Sequence, residues 1–190
     1  DGTNNWPYSL AITSGNSLME PNSLTVGVFE FYAPSLNHYF ITANTGESSN
    51  LANNPQLGWR PTGELQIQFS RAVQGVAGTS GVCRFYGHPT IGPNSHFYTA
   101  DVGECNYLRQ LQAATPFGLP RWNYEEISFA SLMPTFGQCS GANGRFPVAR
   151  FYNNGAAAND SNHRYVSTQV NFDAMVRAGW RNEGAVMCVV

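Results

Sequence analysis

The chain has 190 residues, with ten arginines and no lysine against 12 Asp+Glu, and its formal net charge is -2. Charged residues make up 12% of the chain, half the share of about 25% that is usual in globular proteins. A chain without a basic stripe is a poor nucleic-acid binder, because clustered cations are needed to neutralise phosphates. No apolar run approaches the roughly 18 residues of a membrane-spanning helix. We therefore expect a single globular domain over 1–190, with no membrane span and no nucleic-acid partner.

Three stretches of the chain resemble one another, beginning at Val28, Val82 and Val148. Each begins Val-x-x-Phe-Tyr and continues with a variable loop, a small polar residue, a His and an aromatic residue two places later. A helical stretch and a Trp follow. Self-similarity of this kind indicates a repeat architecture. We name the stretches segment one (28–70), segment two (82–131) and segment three (148–190). Residues 1–27 contain no copy of the motif and are predicted to be a leader.

Within each segment the pattern predicts a β-hairpin, a short helix and a final strand. The Phe-Tyr and His-aromatic stretches are rich in β-formers, and Gly, Pro and Asn fill the loops between them. Two capping boxes predict helix starts, Asn44 with Glu47 and Asp101 with Glu104, each Glu reaching back to its cap. The first and third helices are predicted to end at left-handed glycine caps, Gly58 and Gly179. The Trp then opens the final strand.

Helices this short must dock on a neighbour to be stable. We expect the three units to close around a pseudo-threefold axis as one compact, β-rich α+β domain, with a β-trefoil-like arrangement as the alternative. The four cysteines form no CxxC pair and favour two disulfides in an oxidising compartment, with buried free thiols as the alternative. Cys83 and Cys105 lie in segment two, while Cys139 and Cys188 lie before and within segment three. We predict these two pairs, and a secreted protein.

The strings RFYGHPTIGPNSHFYTADVGEC, RFYNN with NDSNHRY, and GW followed by RNEG resemble a repeat family of unknown function, DUF5648. The resemblance covers about 26–190. It implies a C-terminal module of a secreted bacterial protein, often attached to a hydrolase such as a cell-wall amidase or peptidase, with a role in adhesion or targeting. It assigns no catalytic residue. The chain departs from the family pattern at Thr62, where Glu is expected, and at Glu126, where Gly is expected, so segment one is the copy expected to lack a working site.

Three histidines recur at positions that the alignment makes equivalent, namely His38, His96 and His163. Their favoured role is to hydrogen-bond the backbone of their own hairpin loops. Each could instead belong to a ligand pocket on its own unit, or all three could converge on a metal, as in His₃ zinc sites. We predict neither a metal nor another cofactor.

Recurring aromatic and charged side chains supply the rest of the candidate ligand-binding residues. In each segment the Tyr after the buried Phe should face outward, because neighbouring strand residues alternate faces. The arginines share the Tyr face, and the tryptophans either pin helix to sheet or stack on sugars. Two equivalent glutamates are the type of pair that glycoside hydrolysis requires, but they lie in different units and are interpreted as structural. These candidates are Tyr32, Tyr86, Tyr152, Trp59, Trp122, Trp180, Arg84, Arg150, Glu125 and Glu183.

The sequence contains no G-x-S-x-G elbow, HExxH zinc helix or P-loop. We therefore expect non-catalytic, lectin-like binding of an extracellular polymer, and a neutral glycan suits the low charge and abundant aromatics. Three weak sites would gain avidity on a repetitive surface. The alternatives are a small extracellular hydrolase or lyase whose site broke the repeat symmetry, and a structural accessory domain of a secreted protein. An upstream catalytic domain in a larger parent protein is an expected partner.

Overall fold

A computed structural model describes residues 25–63, 67–70, 78–139 and 146–189. The predicted leader lies outside these residues up to residue 24, and its last three residues belong to the first strand. The described strands are β1 (Thr25–Ala33), β2 (His38–Thr42), β3 (Arg60–Pro61), β4 (Ile67–Ser70), β5 (Thr79–Gly87), β6 (His96–Thr99), β7 (Trp122–Leu132), β8 (Phe146–Tyr152), β9 (His163–Val166) and β10 (Arg181–Val189). The α-helices are α1 (Thr45–Asn53), α2 (Val102–Ala114) and α3 (Gln169–Arg177).

The strands form two antiparallel sheets. In the smaller sheet β1 pairs with β2, β3 and β4. The larger sheet has the order β6-β5-β7-β10-β8-β9. Three hairpins, β1–β2, β5–β6 and β8–β9, are each followed by one helix and a strand. The predicted β-rich α+β class is therefore confirmed. The β-trefoil-like alternative, an all-β arrangement, does not describe a chain with three α-helices.

The helices begin where the cap chemistry predicts. The side chain of Asn44 accepts from the amides of Gly46 and Glu47, and that of Asp101 accepts from the amide of Glu104 at 2.6 Å. Thr168 caps α3 in the same way. Such a cap satisfies an amide that the helix cannot pair internally. Gly179, with φ of 77°, follows the end of α3, so the predicted left-handed cap there is confirmed. Gly58 is also left-handed, with φ of 82°, but it ends a short 3-10 helix, Pro55–Leu57, because α1 already ends at Asn53.

The main hydrophobic cluster contains residues from all three segments. The Phe of each Phe-Tyr motif is at most 2% exposed and the Tyr after it is partly exposed, as strand alternation predicts. Val28, Val82 and Val148, the first residues of the three motifs, pack in a single cluster. Tyr98 and Tyr165 complete hydrogen bonds inside it: the Tyr98 hydroxyl donates to the Ile41 carbonyl, and the Tyr165 hydroxyl donates to the Tyr98 carbonyl at 2.7 Å.

Two disulfides join elements across the core. Cys83–Cys105 connects β5 to α2, and Cys139–Cys188 connects the stretch before β8 to β10. Both predicted pairings are confirmed. No helix in the described part of the chain is long and apolar enough to cross a membrane.

Candidate functional site

The predicted arginines lie where one segment meets the next. At the first junction, between segments one and two, the guanidinium of Arg84 on β5 donates to Glu47 at 3.0 Å and to Glu125 at 2.7 Å, and it lies 3.3 Å from Glu126. The Arg84 side chain is only 11% exposed. Three carboxylates thus surround one guanidinium that is largely shielded from solvent.

The second junction, between segments two and three, repeats this arrangement. Arg150 on β8 donates to both carboxylate oxygens of Glu104 at 2.9 and 3.1 Å, and to Glu183 at 2.7 Å. Its side chain is also 11% exposed. Glu47 and Glu104 therefore bind an arginine of the next segment instead of reaching back to their helix caps. Because both guanidiniums are occupied by protein carboxylates, the predicted Tyr-Arg face offers no free arginine to a ligand.

The third junction, between segments three and one, has the opposite polarity. Here Glu30 on β1 occupies the position of Arg84 and Arg150, and it receives a bidentate pair of bonds from Arg164 on β9 at 2.9 and 3.0 Å. Both side chains are 7% exposed. Bidentate, charge-assisted pairs of this kind are the stronger ones.

An aromatic contact accompanies each of these ion pairs. Cross-strand register places Phe40, Phe97 and Arg164 at corresponding positions, opposite the Phe of each Phe-Tyr motif. At the first two junctions Phe40 and Phe97 lie under the guanidiniums of Arg84 and Arg150, at 5.8 and 4.7 Å. The same phenyl rings make T-shaped contacts with His96 and His163 of the next segment. At the third junction Arg164 instead lies over Tyr39, 4.3 Å from the ring centroid.

The same register corrects the alignment of the histidines. His96 lies opposite Tyr86 and His163 opposite Tyr152, and each imidazole stacks on its tyrosine at 4.8 or 4.9 Å. In segment one the residue opposite Tyr32 is Tyr39, with centroids 4.8 Å apart. His38 is therefore one position out of register with the other two. The hairpin loops differ in length, so matching the letter His could not reveal the shift.

A second pattern marks the correct register. The tyrosine hydroxyls of Tyr32 and Tyr86 donate to Asn37 and Asn94, at 3.0 Å in both cases. Each of these asparagines lies two places before the ring that stacks on the tyrosine, and Ser161 holds that place in segment three. The three segments could therefore be aligned correctly from the sequence by the Asn or Ser that lies two residues before the stacked ring on the second strand of each hairpin.

His38 instead joins the three hairpin loops. Its ring nitrogens lie 2.9 Å from the Asn94 carbonyl and 2.6 Å from Asp160. Next to it, Ser95 donates to Asn162, and Asn162 donates to the Asn37 carbonyl at 3.1 Å. His38, Ser95 and Asn162 are all at most 2% exposed. The expected backbone hydrogen bond of His38 exists, but it reaches the loop of another segment and not its own.

Burial keeps the other two histidines neutral. It lowers the pKa of His96 to about 3, with the nearby cation Arg84 acting in the same direction. It also lowers the pKa of His163 to about 3, assisted by Arg150. The Nε2 atoms of both lie 3.6 Å from Glu125 and Glu183. Such imidazoles are poor general bases at neutral pH, and the described residues contain no group of three or more His, Cys, Asp or Glu that could hold a metal.

The tryptophans and glutamates are each held within the fold. The rings of Trp59, Trp122 and Trp180 are partly buried and lie 5.8 to 5.9 Å from the rings of Phe40, Phe97 and Tyr39. Glu125 and Glu183 bind different arginines on different strands, so the structure does not bring them together as a pair. Burial, reinforced by Glu47 and Glu126 and opposed by Arg84, raises the pKa of Glu125.

Open grooves flank the first two junctions. The groove at the first junction has a volume of about 490 Å³ and lies between β1, the start of α1 and β7. The groove at the second junction has a volume of about 390 Å³ and lies between the start of α2 and β10. Each combines a helix-cap side chain and a carboxylate with apolar neighbours: Asn44, Glu126, Ser128, Phe29 and Phe129 in the first, and Asp101, Glu104, Met133, Pro134 and Val186 in the second. The sequence predicts only a structural, helix-capping role for Asn44 and Asp101.

The fold and its junctions define a β-rich α+β protein held together by buried ion pairs between hairpin units. Residues 5–114 and 29–190 match the family described as Domain of unknown function (DUF5648). The chain belongs to this family. Neither the curated proteins nor the solved structures contain a match to the chain.

Proposed function

We propose that the protein is a secreted, non-catalytic binding module for an extracellular polymer, a glycan in particular. In this proposal segments one, two and three are three copies of one unit, closed around a pseudo-threefold axis. Corresponding contacts run from segment one to two, from two to three and from three back to one, which supports a closed ring. The family resemblance supports a place at the C-terminus of a larger protein, after a catalytic domain.

The pair of junction grooves carries the proposal. Both lie beside the same helix-start position, and both set polar oxygens beside apolar side chains. Sugars present hydroxyls together with apolar C–H faces, so a groove of this composition suits them. Two sites on one rigid unit bind a repetitive polymer with an avidity that neither reaches alone.

The state of the histidines supports a binding role over a hydrolytic one. His96 and His163 have a pKa of about 3 and stack on tyrosines, so they do not supply a general base at neutral pH. Glu125 and Glu183 are bound to separate arginines. The two glutamates, the type of pair that glycoside hydrolysis requires, are therefore each held by the arginine of their own segment.

A depletion assay tests the proposal. The protein is mixed with insoluble peptidoglycan, chitin, cellulose, polyester granules or keratin, and its loss from the supernatant is measured. Ser128→Phe blocks the first groove and Ala185→Phe the second, while Ser49→Phe places the same ring on the exposed side of α1 as a matched control. We expect depletion on one polymer, with affinity reduced at least about tenfold by either block and unchanged by the control.

Two results would contradict the proposal. One is the absence of depletion on every polymer tested. The other is full binding by the Ser128→Phe, Ala185→Phe double variant, provided that circular dichroism shows it to be folded.

A further inference from the structure

Segment two carries a cleft of its own beside helix α2. Helix α2 has 13 residues, whereas α1 and α3 have 9 each. Its additional turn and the connection to β7 border an open cleft of about 450 Å³, lined by Arg109, Gln112, Ala113, Arg121 and Tyr124. A cleft of this size lies within the range of small-molecule sites, roughly 300–1,000 Å³.

Two residues that line this cleft differ from those at the corresponding positions of segments one and three. Arg121 directly precedes Trp122, and the residues that precede the other two tryptophans are Gly58 and Gly179. Tyr124 lies opposite the Phe of its motif on β5, where segments one and three have Pro61 and Asn182. The cleft is therefore an addition to one segment and not part of the shared architecture.

Protein contacts hold Arg121 in place without neutralising it. Its Nε donates to the Asn123 side chain at 2.9 Å, and its Nη1 donates to the carbonyls of Thr115 and Gln112 at 2.7 and 3.2 Å. Gln112 is fixed in turn, because its side-chain oxygen accepts from the Tyr124 amide at 2.7 Å. All of these partners are neutral groups.

Arg109 completes the cationic lining of the cleft. Its guanidinium lies over the ring of Tyr124, 4.8 Å from the centroid, and the side chain is exposed. Within the described residues no carboxylate lies within 4.0 Å of Arg109 or Arg121, whereas Arg84, Arg150 and Arg164 are all paired. Two positive charges thus share one cleft on a chain whose net charge is -2.

We infer that this cleft binds a carboxylate-bearing sugar residue of an acidic glycan. The Arg109 guanidinium can match a carboxylate through two parallel hydrogen bonds, while Arg121, whose Nε and Nη1 are bound by the protein, contributes its charge and its Nη2 donors. The Tyr124 ring supplies an apolar face beside these cations, and a uronic-acid-type sugar presents both a carboxylate and an apolar C–H face. The inference rests on the proposed polymer-binding function. It replaces the neutral glycan that the overall charge favours with a glycan that carries acidic residues.

The test compares two polymers that differ only in the carboxylate. Binding to polygalacturonate and to its fully methyl-esterified form is measured at physiological salt, with dextran sulfate as a third polymer. We expect the acidic form to bind at least about tenfold more tightly than the ester, the factor expected from one charge-assisted pair. Arg109→Gln with Arg121→Gln should abolish the difference. Arg60→Gln with Arg177→Gln removes the same charge from exposed positions elsewhere and should change binding less than about threefold.

Several results would overturn the inference. Equal binding to the ester and the acid, or an equal loss of affinity in both double variants, would show that the cleft does not recognise the carboxylate. Preferential binding to dextran sulfate would show a general anion site instead. If the protein is depleted by a neutral polymer and the Arg109, Arg121 double variant retains that binding, the inference fails while the proposed function stands. Titration with free glucuronate, followed by chemical shifts of the Tyr124 ring, tests the cleft even if no polymer is bound.

Discussion

Mild acid should destabilise the folded protein, because two histidines are neutral in it. His96 faces Arg84, Glu125 and His38, and His163 faces Arg150 and Glu183. In the unfolded chain each imidazole binds a proton below about pH 6.5. In the folded chain the pKa of each is about 3, so the proton does not bind until much lower pH. The free energy of unfolding therefore falls as the pH falls from about 6.5 towards 3.

The size of this loss follows from the two pKa values. A pH of about 5 lies about 1.5 units below the pKa of the unfolded imidazole, while the folded imidazole is still neutral. Each histidine therefore lowers the free energy of unfolding by about 2 kcal/mol at this pH. The two together remove about 4 kcal/mol, a large fraction of the roughly 5–15 kcal/mol by which a domain is typically stable.

Urea denaturation followed by tryptophan fluorescence, with the disulfides intact, measures the effect at about pH 7.5 and pH 5. We expect His96→Gln or His163→Gln to remove about half of the acid-induced loss, and the double variant to remove most of it. His88→Gln deletes a histidine from an exposed loop and is the matched control. The reasoning is refuted if the double variant loses as much stability between the two pH values as the unaltered protein.

Three further predictions concern the junctions, the disulfides and one strained turn. Glu30→Gln and Arg164→Met should each cost about 3–5 kcal/mol alone by leaving a buried charge unpaired, whereas the double variant removes both charges and should cost much less than the sum; losses that simply add in a double-mutant cycle would argue against this. Replacing Cys139 and Cys188 by Ser opens a bridge with a sequence separation of 49, and denaturant titration should show a loss of about 4 kcal/mol. Phe136 is fully exposed with φ of 51°, so Phe136→Gly should raise stability by about 1 kcal/mol in thermal melts, and a lower Tm would show that the ring contributes to the fold.

Features set by neighbouring residues could be predicted from the sequence. The hairpins, the caps at Asn44 and Asp101 and the left-handed glycines all depend on chemistry within a few residues. The cysteine pairs were also predicted, because the segment boundaries left one sensible pairing within each region.

Features set by contacts between segments could not be predicted in the same way. Glu47 and Glu104 satisfied a local capping rule, but a buried arginine from the next segment is a stronger partner than a cap amide. The position of His38 depends on the register of the hairpin strands. This register cannot be derived from a sequence alignment when the hairpin loops differ in length. Glu30 and Arg164 are separated by 134 residues of sequence, so no local sequence pattern predicts that they pair.

The reversed polarity of the third junction also protects the protein against joining its segments in the wrong order. If segment three of one molecule docked on segment two of another, Arg164 would lose Glu30 and face Arg84, and two guanidiniums would have to share the carboxylates of segment two, Glu125 and Glu126. If segment two docked on segment one, the phenyl ring of Phe97 would cover Glu30 and leave that carboxylate desolvated and unpaired. The second error carries the cost of a buried uncompensated charge. The exchange of one charge thus selects which segments can meet, because segment three pairs its buried arginine with a first segment and not with a second.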